Sequence, residues 1–209
     1  MKILFVSIGL FLSLTVHAQE KSLYYFQEAG TLEIGPRIGF TTSAIISTGD
    51  PNIARGVKLG IVAGIFGRKQ LTDQWAINTD FSYSTRGNKN DDINLENSYI
   101  DLSVVVVRNV KYRMFNNDMT FDFFLGPGLS FNLNSEFKES NIPVNPFISP
   151  QEFNVVIGGA LPFGPILLTA TNRLGLTNLL GNPSPGSKWT SFTTEWTIAY
   201  RFKQKKALK

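Results

Sequence analysis

The sequence contains no cysteine and a single histidine, His17. Without cysteine the chain can be neither a disulfide scaffold nor a lipoprotein anchored through an acylated cysteine. His17 lies in an N-terminal segment with the pattern of a cleaved signal, so the chain that remains would lack both residue types. A Ser-His-Asp triad, a cysteine nucleophile and nearly every zinc or haem site depend on these residues. We therefore expect a protein that is not an enzyme and that binds no cofactor.

Long apolar runs are also lacking. No stretch of 18 consecutive apolar residues occurs, which excludes a helical membrane protein. The N-terminus, MKILFVSIGLFLSLTVHA, has Lys2, an apolar run over Ile3–Val16 and a small residue at Ala18. This layout predicts a secretory signal peptide cleaved after Ala18. The alternative is an N-terminal membrane anchor, but the run is short for a span of roughly 20 residues.

The excess of basic residues is confined to the two ends of the chain. The 20 Lys and Arg residues exceed the 16 Asp and Glu residues and give a net charge of +4. Without Lys2 and the four lysines of Lys203–Lys209, 15 basic and 16 acidic residues remain. Because no basic stripe is present, we expect no nucleic-acid partner.

The feature that is present throughout the chain is alternation of apolar and polar residues. The segment Ser191–Phe202 reads SFTTEWTIAYRF, and every second residue from Phe192 to Phe202 is apolar, aromatic or Thr. The residues between them, from Thr193 to Arg201, are Thr, Glu, Thr, Ala and Arg. A β-strand sends alternate side chains to opposite faces, so this segment predicts a strand with one apolar and one polar face.

Seven further segments alternate, although Tyr99–Tyr112 does so least clearly because its run of four valines is apolar on both faces. They are Thr31–Thr41, Arg55–Arg68, Trp75–Arg86, Tyr99–Tyr112, Thr120–Asn132, Glu152–Ala160 and Ile166–Leu176. Segments of about 9 to 12 residues can cross a bilayer at a tilt, and the connections between them are alternately long and short. We predict an all-β, eight-stranded antiparallel up-and-down transmembrane β-barrel over residues 31–202. A signal peptide (1–18) and a periplasmic lead (19–30) precede it, and a basic periplasmic tail (203–209) follows it.

The apolar faces must contact either a core or lipid. A soluble eight-stranded barrel such as a lipocalin turns its apolar face inward, but a lumen of this size holds little more than its own side chains. About six apolar residues per strand would overfill it, so we predict that the apolar face contacts lipid in the outer membrane of a Gram-negative bacterium. The polar face would line the lumen, where charges can pair. The predicted interior charges are Glu33, Arg37, Lys58, Asp80, Asp101, Asp122, Arg173, Glu195 and Arg201.

Three finer expectations follow from this arrangement. Interior glycines should leave room for long neighbours such as Arg37 and Arg173. Pro36 and Pro127 cannot donate to a ladder, and a closed sheet has no edge to host them, so we expect a β-bulge at each. Aromatic residues near the strand ends should form interfacial girdles. The girdle residues are Phe40, Trp75, Tyr83, Tyr99, Tyr112, Phe121, Phe131, Phe192, Tyr200 and Phe202.

Several pieces of the sequence, taken in order, resemble the PorT-like outer-membrane β-barrel proteins of Bacteroidetes. They are GVKLGIVAGIFGRKQLTDQWAINTDFSYSTRG, NSYIDLSVVVV, FFLGPGLSFNL, NRLGLTNL and TTEWTIAYRF. The resemblance implies an eight-stranded outer-membrane barrel with both termini in the periplasm. It also implies an assembly signal, with Trp196, Tyr200 and Phe202, that the barrel-insertion machinery reads and that ends at Phe202. The chain departs from the family by continuing for seven residues and by a fourth strand with few charges.

Two functional hypotheses remain open. The first is a non-enzymatic structural or interaction protein of the cell envelope, whose long extracellular loops contact a partner. The second is an accessory subunit of an envelope or secretion machine, with periplasmic partners bound through the lead and the tail; the founding member of the family serves a secretion and gliding system. In the segment Asn88–Glu96, the oxygen-bearing residues Asp91, Asp92, Asn94 and Glu96 are either solvated or ligands for Ca²⁺.

Overall fold

The structure is a computed structural model. It describes residues 29–48, 56–89, 94–114, 117–137, 142–143, 148–181 and 187–204. The predicted signal peptide lies outside these ranges, as do nearly all of the predicted lead and most of the basic tail. Within the described part of the chain, no helix is long and apolar enough to span a membrane.

The described residues form eight long strands and two short ones. The strands are β1 (Leu32–Thr48), β2 (Lys58–Gln70), β3 (Trp75–Lys89), β4 (Asn94–Met114), β5 (Asn117–Phe137), β6 (Ile142–Pro143), β7 (Gln151–Phe163), β8 (Ile166–Gly175), β9 (Lys188–Tyr200) and β10 (Phe202–Gln204). β6 is a two-residue addition that pairs with β5, and β10 continues β9 after Arg201.

The sheet closes on itself because β1 pairs with both β2 and β9. Between these two contacts, each long strand pairs antiparallel with the next long strand along the chain. The prediction of a closed eight-stranded antiparallel up-and-down barrel is therefore confirmed. Among the described strands, closure pairs every long strand on both sides.

Burial alternates along the strands. On β9, the side chain of Glu195 is fully buried, whereas Ile198 is 57% exposed. The outward positions form a continuous apolar surface that includes Ile38, Phe40, Leu59, Ile61, Ile65, Phe123, Leu125, Phe153 and Phe202, each more than half exposed. An apolar surface of this extent requires an apolar environment around the barrel.

Several strands extend further than the sequence pattern predicted, among them β1, which ends at Thr48 rather than Thr41. β4 begins at Asn94 rather than Tyr99, and β5 ends at Phe137 rather than Asn132. The predicted turn before Thr120 is also shorter, because β5 already begins at Asn117. The polar side chains of these residues are typical of loops, which is why the sequence pattern does not predict strands there. Backbone pairing does not depend on side-chain polarity, so strands can continue beyond the apolar zone of a barrel.

The prediction of a β-bulge at Pro36 and at Pro127 is wrong. Pairing stops beside Pro36 and beside Pro127 and resumes in an unchanged register. A missing N–H removes a ladder bond without requiring an extra residue. The register shift instead lies between Ser98 and Tyr99, opposite Leu133, which is the unpaired extra residue of β5.

Candidate functional site: the barrel interior

The barrel interior is densely charged. Within the described residues, six basic and six acidic side chains are each less than 10% exposed. They are Arg37, Lys58, Arg68, Arg86, Arg173, Arg201, Glu33, Asp80, Asp101, Asp122, Glu152 and Glu195. This set contains all nine residues that the alternation placed inside. The equal numbers of the two signs limit the cost of keeping ionised groups away from water.

Glu195 is the centre of this network. Its Oε2 accepts a hydrogen bond from Arg37 Nη2 at 2.7 Å, and its Oε1 accepts one from Arg173 Nε at 2.6 Å. Arg86 Nη2 lies 3.8 Å from the same Oε1. Arg37 also donates through Nη1 to Asp80 Oδ1 at 2.9 Å. These contacts cross the lumen and connect β1, β3, β8 and β9.

Asp101 forms a second centre, closer to the long connections. Its Oδ2 accepts hydrogen bonds from Arg86 and from Ser84 Oγ, the latter at 2.7 Å. Ser130 Oγ donates to Oδ1 at 2.5 Å. The Arg86 guanidinium also lies 4.9 Å from the centre of the Tyr99 ring, an attractive cation–π geometry.

The assignment of Tyr99 to an interfacial girdle is therefore wrong. Its side chain is 2% exposed and lies inside the barrel, two residues before Asp101 on the same face of β4. Alternation counted from Asp101 places Tyr99 inside the barrel. The girdle prediction for Tyr99 depended only on its aromatic character. The side chain of Tyr112, another predicted girdle residue, lies outside the described set.

A third group of polar contacts lies near the end of the barrel that holds the chain termini. Arg68 Nη1 donates to Asp122 Oδ2 at 2.5 Å, and Asn109 Nδ2 donates to Oδ1 of the same carboxylate at 2.5 Å. Gln70 Nε2 donates to Asn109 Oδ1 at 2.7 Å. The carboxylate of Asp122 is thereby satisfied on both oxygens and links β2, β4 and β5.

The first and last strands meet at the same end. Arg201 Nη1 lies 3.7 Å from Glu33 Oε2, and Lys203 Nζ lies 3.9 Å from Glu33 Oε1. Arg201 also donates from Nη2 to the carbonyl oxygen of Gly164. The interior charges of β1 and of the last strand are thus paired with each other where the sheet closes.

Apolar side chains occupy the space beside these charges. Phe66, Ala160, Leu167 and Ala199 form one buried cluster, Ala76, Val105, Val107 and Val156 form another, and Phe124 packs against both. All of these residues except Ala76 and Val105 line a cavity of about 30 Å³, together with Arg37, Asp80 and Arg173. That volume holds one or two water molecules and is far smaller than a small-molecule site.

A separate apolar cluster covers the mouth at the other end of the barrel. Ile148 and Leu179, from the connections before β7 and after β8, pack on the inward side chains Ile45 and Leu95. The two connections are joined by a hydrogen bond from Ser149 N to Leu179 O at 2.6 Å. The mouth is thereby covered by a small core of its own, which we call the outer cap; its other members are Phe137 and Trp189.

The interior glycines have two distinct roles. A Cβ at Gly175 would lie 2.1 Å from Glu152 Oε1, so this glycine leaves room for a buried carboxylate. A Cβ at Gly35 would lie 1.6 Å from the carbonyl oxygen of Tyr200, so that glycine permits the close approach of two backbones. The expected role of making room for neighbours therefore applies at Gly175 but not at Gly35.

Two of the four proposed calcium ligands already contact a cation. Lys58 Nζ donates to Asn94 Oδ1 at 2.9 Å and lies 2.9 Å from Glu96 Oε2. Asp91 and Asp92 lie outside the described residues. Within the part of the chain that the structure describes, no group of three or more His, Cys, Asp or Glu residues could hold a metal ion.

A closed barrel with an apolar exterior and a charged interior is the arrangement of outer-membrane proteins. The model of the outer membrane protein beta-barrel domain family matches residues 17–181. The chain belongs to this family. The protein is accordingly located in the outer membrane, and its apolar exterior faces lipid. The matched range ends before β9, which closes the barrel.

Several solved outer-membrane barrels are similar in structure. Ail, the attachment invasion locus protein of Yersinia pestis, has 15% identity and a TM-score of 0.45, covering 83% of this chain and 99% of its own. OprG from Pseudomonas aeruginosa has 13% identity and a TM-score of 0.47, with coverage of 84% and 97%. Neisserial surface protein A has 12% identity and a TM-score of 0.45, with coverage of 83% and 99%. No curated protein matches the sequence significantly.

The residues that the family resemblance assigned to the assembly signal lie on the lipid side of this outer-membrane barrel. Tyr200 is 47% exposed and Phe202 is 55% exposed, and their ring centres are 4.9 Å apart. Trp196 shares this outward face of β9, opposite Phe40 on β1. The three side chains therefore form a row along the outer face of the last strand.

Three interior charges were missing from the predicted set: Arg68, Arg86 and Glu152. Arg68 follows the included Lys58 by ten positions and Arg86 follows the included Asp80 by six, so both have the parity of an interior residue, and Glu152 alternates with the outward Phe153. Arg68 and Arg86 ended their predicted segments, and Glu152 began one. The alternation extended to the segment ends would have identified all three.

Proposed function

We propose that this outer-membrane barrel is a non-enzymatic structural or interaction protein of the cell envelope. It would contact its partner through the long connections at the outer mouth. The observation that supports this function is the occupied lumen, where the described residues form paired charges and apolar clusters around a cavity of about 30 Å³. An interior filled in this way provides no path for a solute, so the exposed connections are the surface that remains for function.

We also propose that the protein is a member of the PorT-like group of outer-membrane barrels. The pieces that resemble the PorT-like proteins of Bacteroidetes fall on β2 and β3, β4, β5, β8 and β9. Their distribution over most of the barrel supports a relationship along the whole domain. An accessory role in an envelope or secretion machine is the second candidate. Its contact points would be the lead and the basic tail, which adjoin β1 and β10 at one end of the barrel.

Capture of partners from detergent-solubilised outer membrane separates the two candidates. One variant replaces residues 138–147 by a glycine–serine linker of equal length, and another lacks residues 205–209. If the outer connections bind the partner, the first variant loses it and the second retains it. The opposite result supports the accessory role. A steady, ion-selective conductance in planar bilayers would contradict the filled lumen on which the proposal depends.

A further inference from the structure

The outward-facing charges differ between the two ends of the barrel. At the end with the long connections, the described strands present both signs outward, with Lys89 and Lys188 alongside Glu136. At the end that holds the termini, the charged residues on the outward face of the described strands are Lys69 on β2 and Arg108 on β4. Both are basic, so this rim has a positive outer surface.

Trp75, the first residue of β3, lies between these two cations. It is directly opposite Arg108, whose guanidinium lies 4.7 Å from the centre of the indole ring. Lys69 is opposite Ile77, the next outward residue of β3. Two strand spacings of about 4.8 Å and an offset of two residues along β3 separate the backbones of Lys69 and Arg108 by about 12 Å. Two long cationic side chains therefore flank one half-exposed indole.

Lys69 and Arg108 carry charges that the described part of the chain does not neutralise. Neither forms an ion pair with any residue that the structure describes, including Asp73 in the adjoining turn. The neighbouring outward residues Ile77 and Val106 are 37% and 52% exposed and belong to the lipid-facing surface. The cations thus lie at the boundary between the apolar exterior and the terminal rim, where tryptophan is favoured and lipid phosphates are found.

We propose that Lys69, Trp75 and Arg108 bind the phosphate head group of an anionic phospholipid. The phosphate would lie between the ammonium and the guanidinium, and the acyl chains would lie along Ile77 and Val106. The indole fixes the position of the guanidinium, so that its remaining N–H groups are available to the phosphate. Because the site is continuous with the lipid-facing surface, its ligand is a membrane lipid rather than a free anion.

Native mass spectrometry of the folded full-length protein tests this site. The detergent-purified protein is titrated with dioleoylphosphatidylglycerol or with zwitterionic dioleoylphosphatidylcholine, and bound lipid is counted. The wild type should prefer phosphatidylglycerol. The double variant Lys69→Gln/Arg108→Gln should lower its affinity for that lipid about thirtyfold, at roughly fivefold per basic side chain. Arg108→Lys, which retains the charge but not the planar group, should cause a smaller loss.

The matched control is Lys89→Gln/Lys188→Gln, which removes the same charge from outward positions at the opposite end. It should leave the preference for phosphatidylglycerol unchanged. Equal losses in the two double variants would show a non-specific charge effect, and a wild type without the preference would overturn the proposal. If the double variant does not fold, Arg108→Gln alone must lower the affinity about fivefold, and an unchanged affinity also refutes the site.

Discussion

Arg37 and Glu195 join the first long strand of the barrel to the last. Arg37 Nη2 on β1 donates to Glu195 Oε2 on β9 at 2.7 Å, across 158 positions of sequence. Both side chains are withdrawn from solvent. β1 and β9 form the seam at which the sheet closes, so this ion pair can form only when closure is complete. The interior network therefore stabilises the closed state specifically.

Replacement of Glu195 by glutamine should destabilise the barrel strongly. The amide removes the negative charge between Arg37 and Arg173, which leaves two buried guanidinium groups with too little counter-charge. Loss of one partner from a buried ion pair costs about 3–5 kcal/mol. The measurement is urea unfolding of the protein in lipid vesicles, followed by tryptophan fluorescence. The exposed control Lys188→Gln should change the stability by less than about 1 kcal/mol, and an equally small effect at Glu195 would contradict the role of the network.

Gly35→Ala should impair closure of the same seam. The new Cβ would lie 1.6 Å from the carbonyl oxygen of Tyr200, and backbone at that position cannot move without separating β1 from the last strand. Overpacking of this kind costs typically 1–3 kcal/mol. Gly67→Ala is the matched control, because its nearest contact would be Thr79 Oγ1 at 3.2 Å. Heat-modifiable gel mobility reports the folded fraction, and equal yields of the two variants would show that Gly35 is not required for closure.

Alternation was sufficient to predict the barrel and most of its interior. Side chains on a strand point to opposite faces with a period of two, so one well-placed residue such as Glu195 fixes the direction of every neighbour. The same rule places Arg68 and Arg86 inside, although each stands at the end of its alternating segment. Exposure to lipid, by contrast, is not encoded by aromatic character alone, and Tyr99 was therefore assigned to the wrong face.

Features that depend on contacts between distant strands were not predictable. The outer cap requires Ile148 and Leu179, more than 30 positions apart, to meet over the mouth, and neither stands in an alternating segment that marks it as buried. The pairing partners of Glu195 come from β1 and β8, and alternation gives no information on which charges lie at the same depth. The contact of Arg108 with Trp75 likewise depends on the register between β3 and β4.

Ile198→Arg should destabilise the protein in a bilayer. Ile198 is 57% exposed on the lipid face of β9, opposite Ile38 on β1 and Leu168 on β8. An arginine near the middle of a bilayer costs about 2–4 kcal/mol on the lipid face of a barrel. The folding yield into lipid vesicles measures this loss, and Ile198→Leu is the control for the change of shape. If both variants fold equally well, Ile198 does not contact the bilayer interior.

Leu179→Asp should open the outer cap without unfolding the barrel. Leu179 is 1% exposed and packs with Ile45, Leu95 and Ile148, so a carboxylate there would be buried without a partner. The connection lies outside the paired strands and can move into water, which relieves that cost locally. Protease added to the outside of vesicles should then cleave the connections faster, while the urea midpoint of the barrel stays unchanged. Leu176→Asp, at a residue that is 57% exposed, should have neither effect. A lowered urea midpoint for Leu179→Asp would instead show that the cap and the barrel unfold as one cooperative unit.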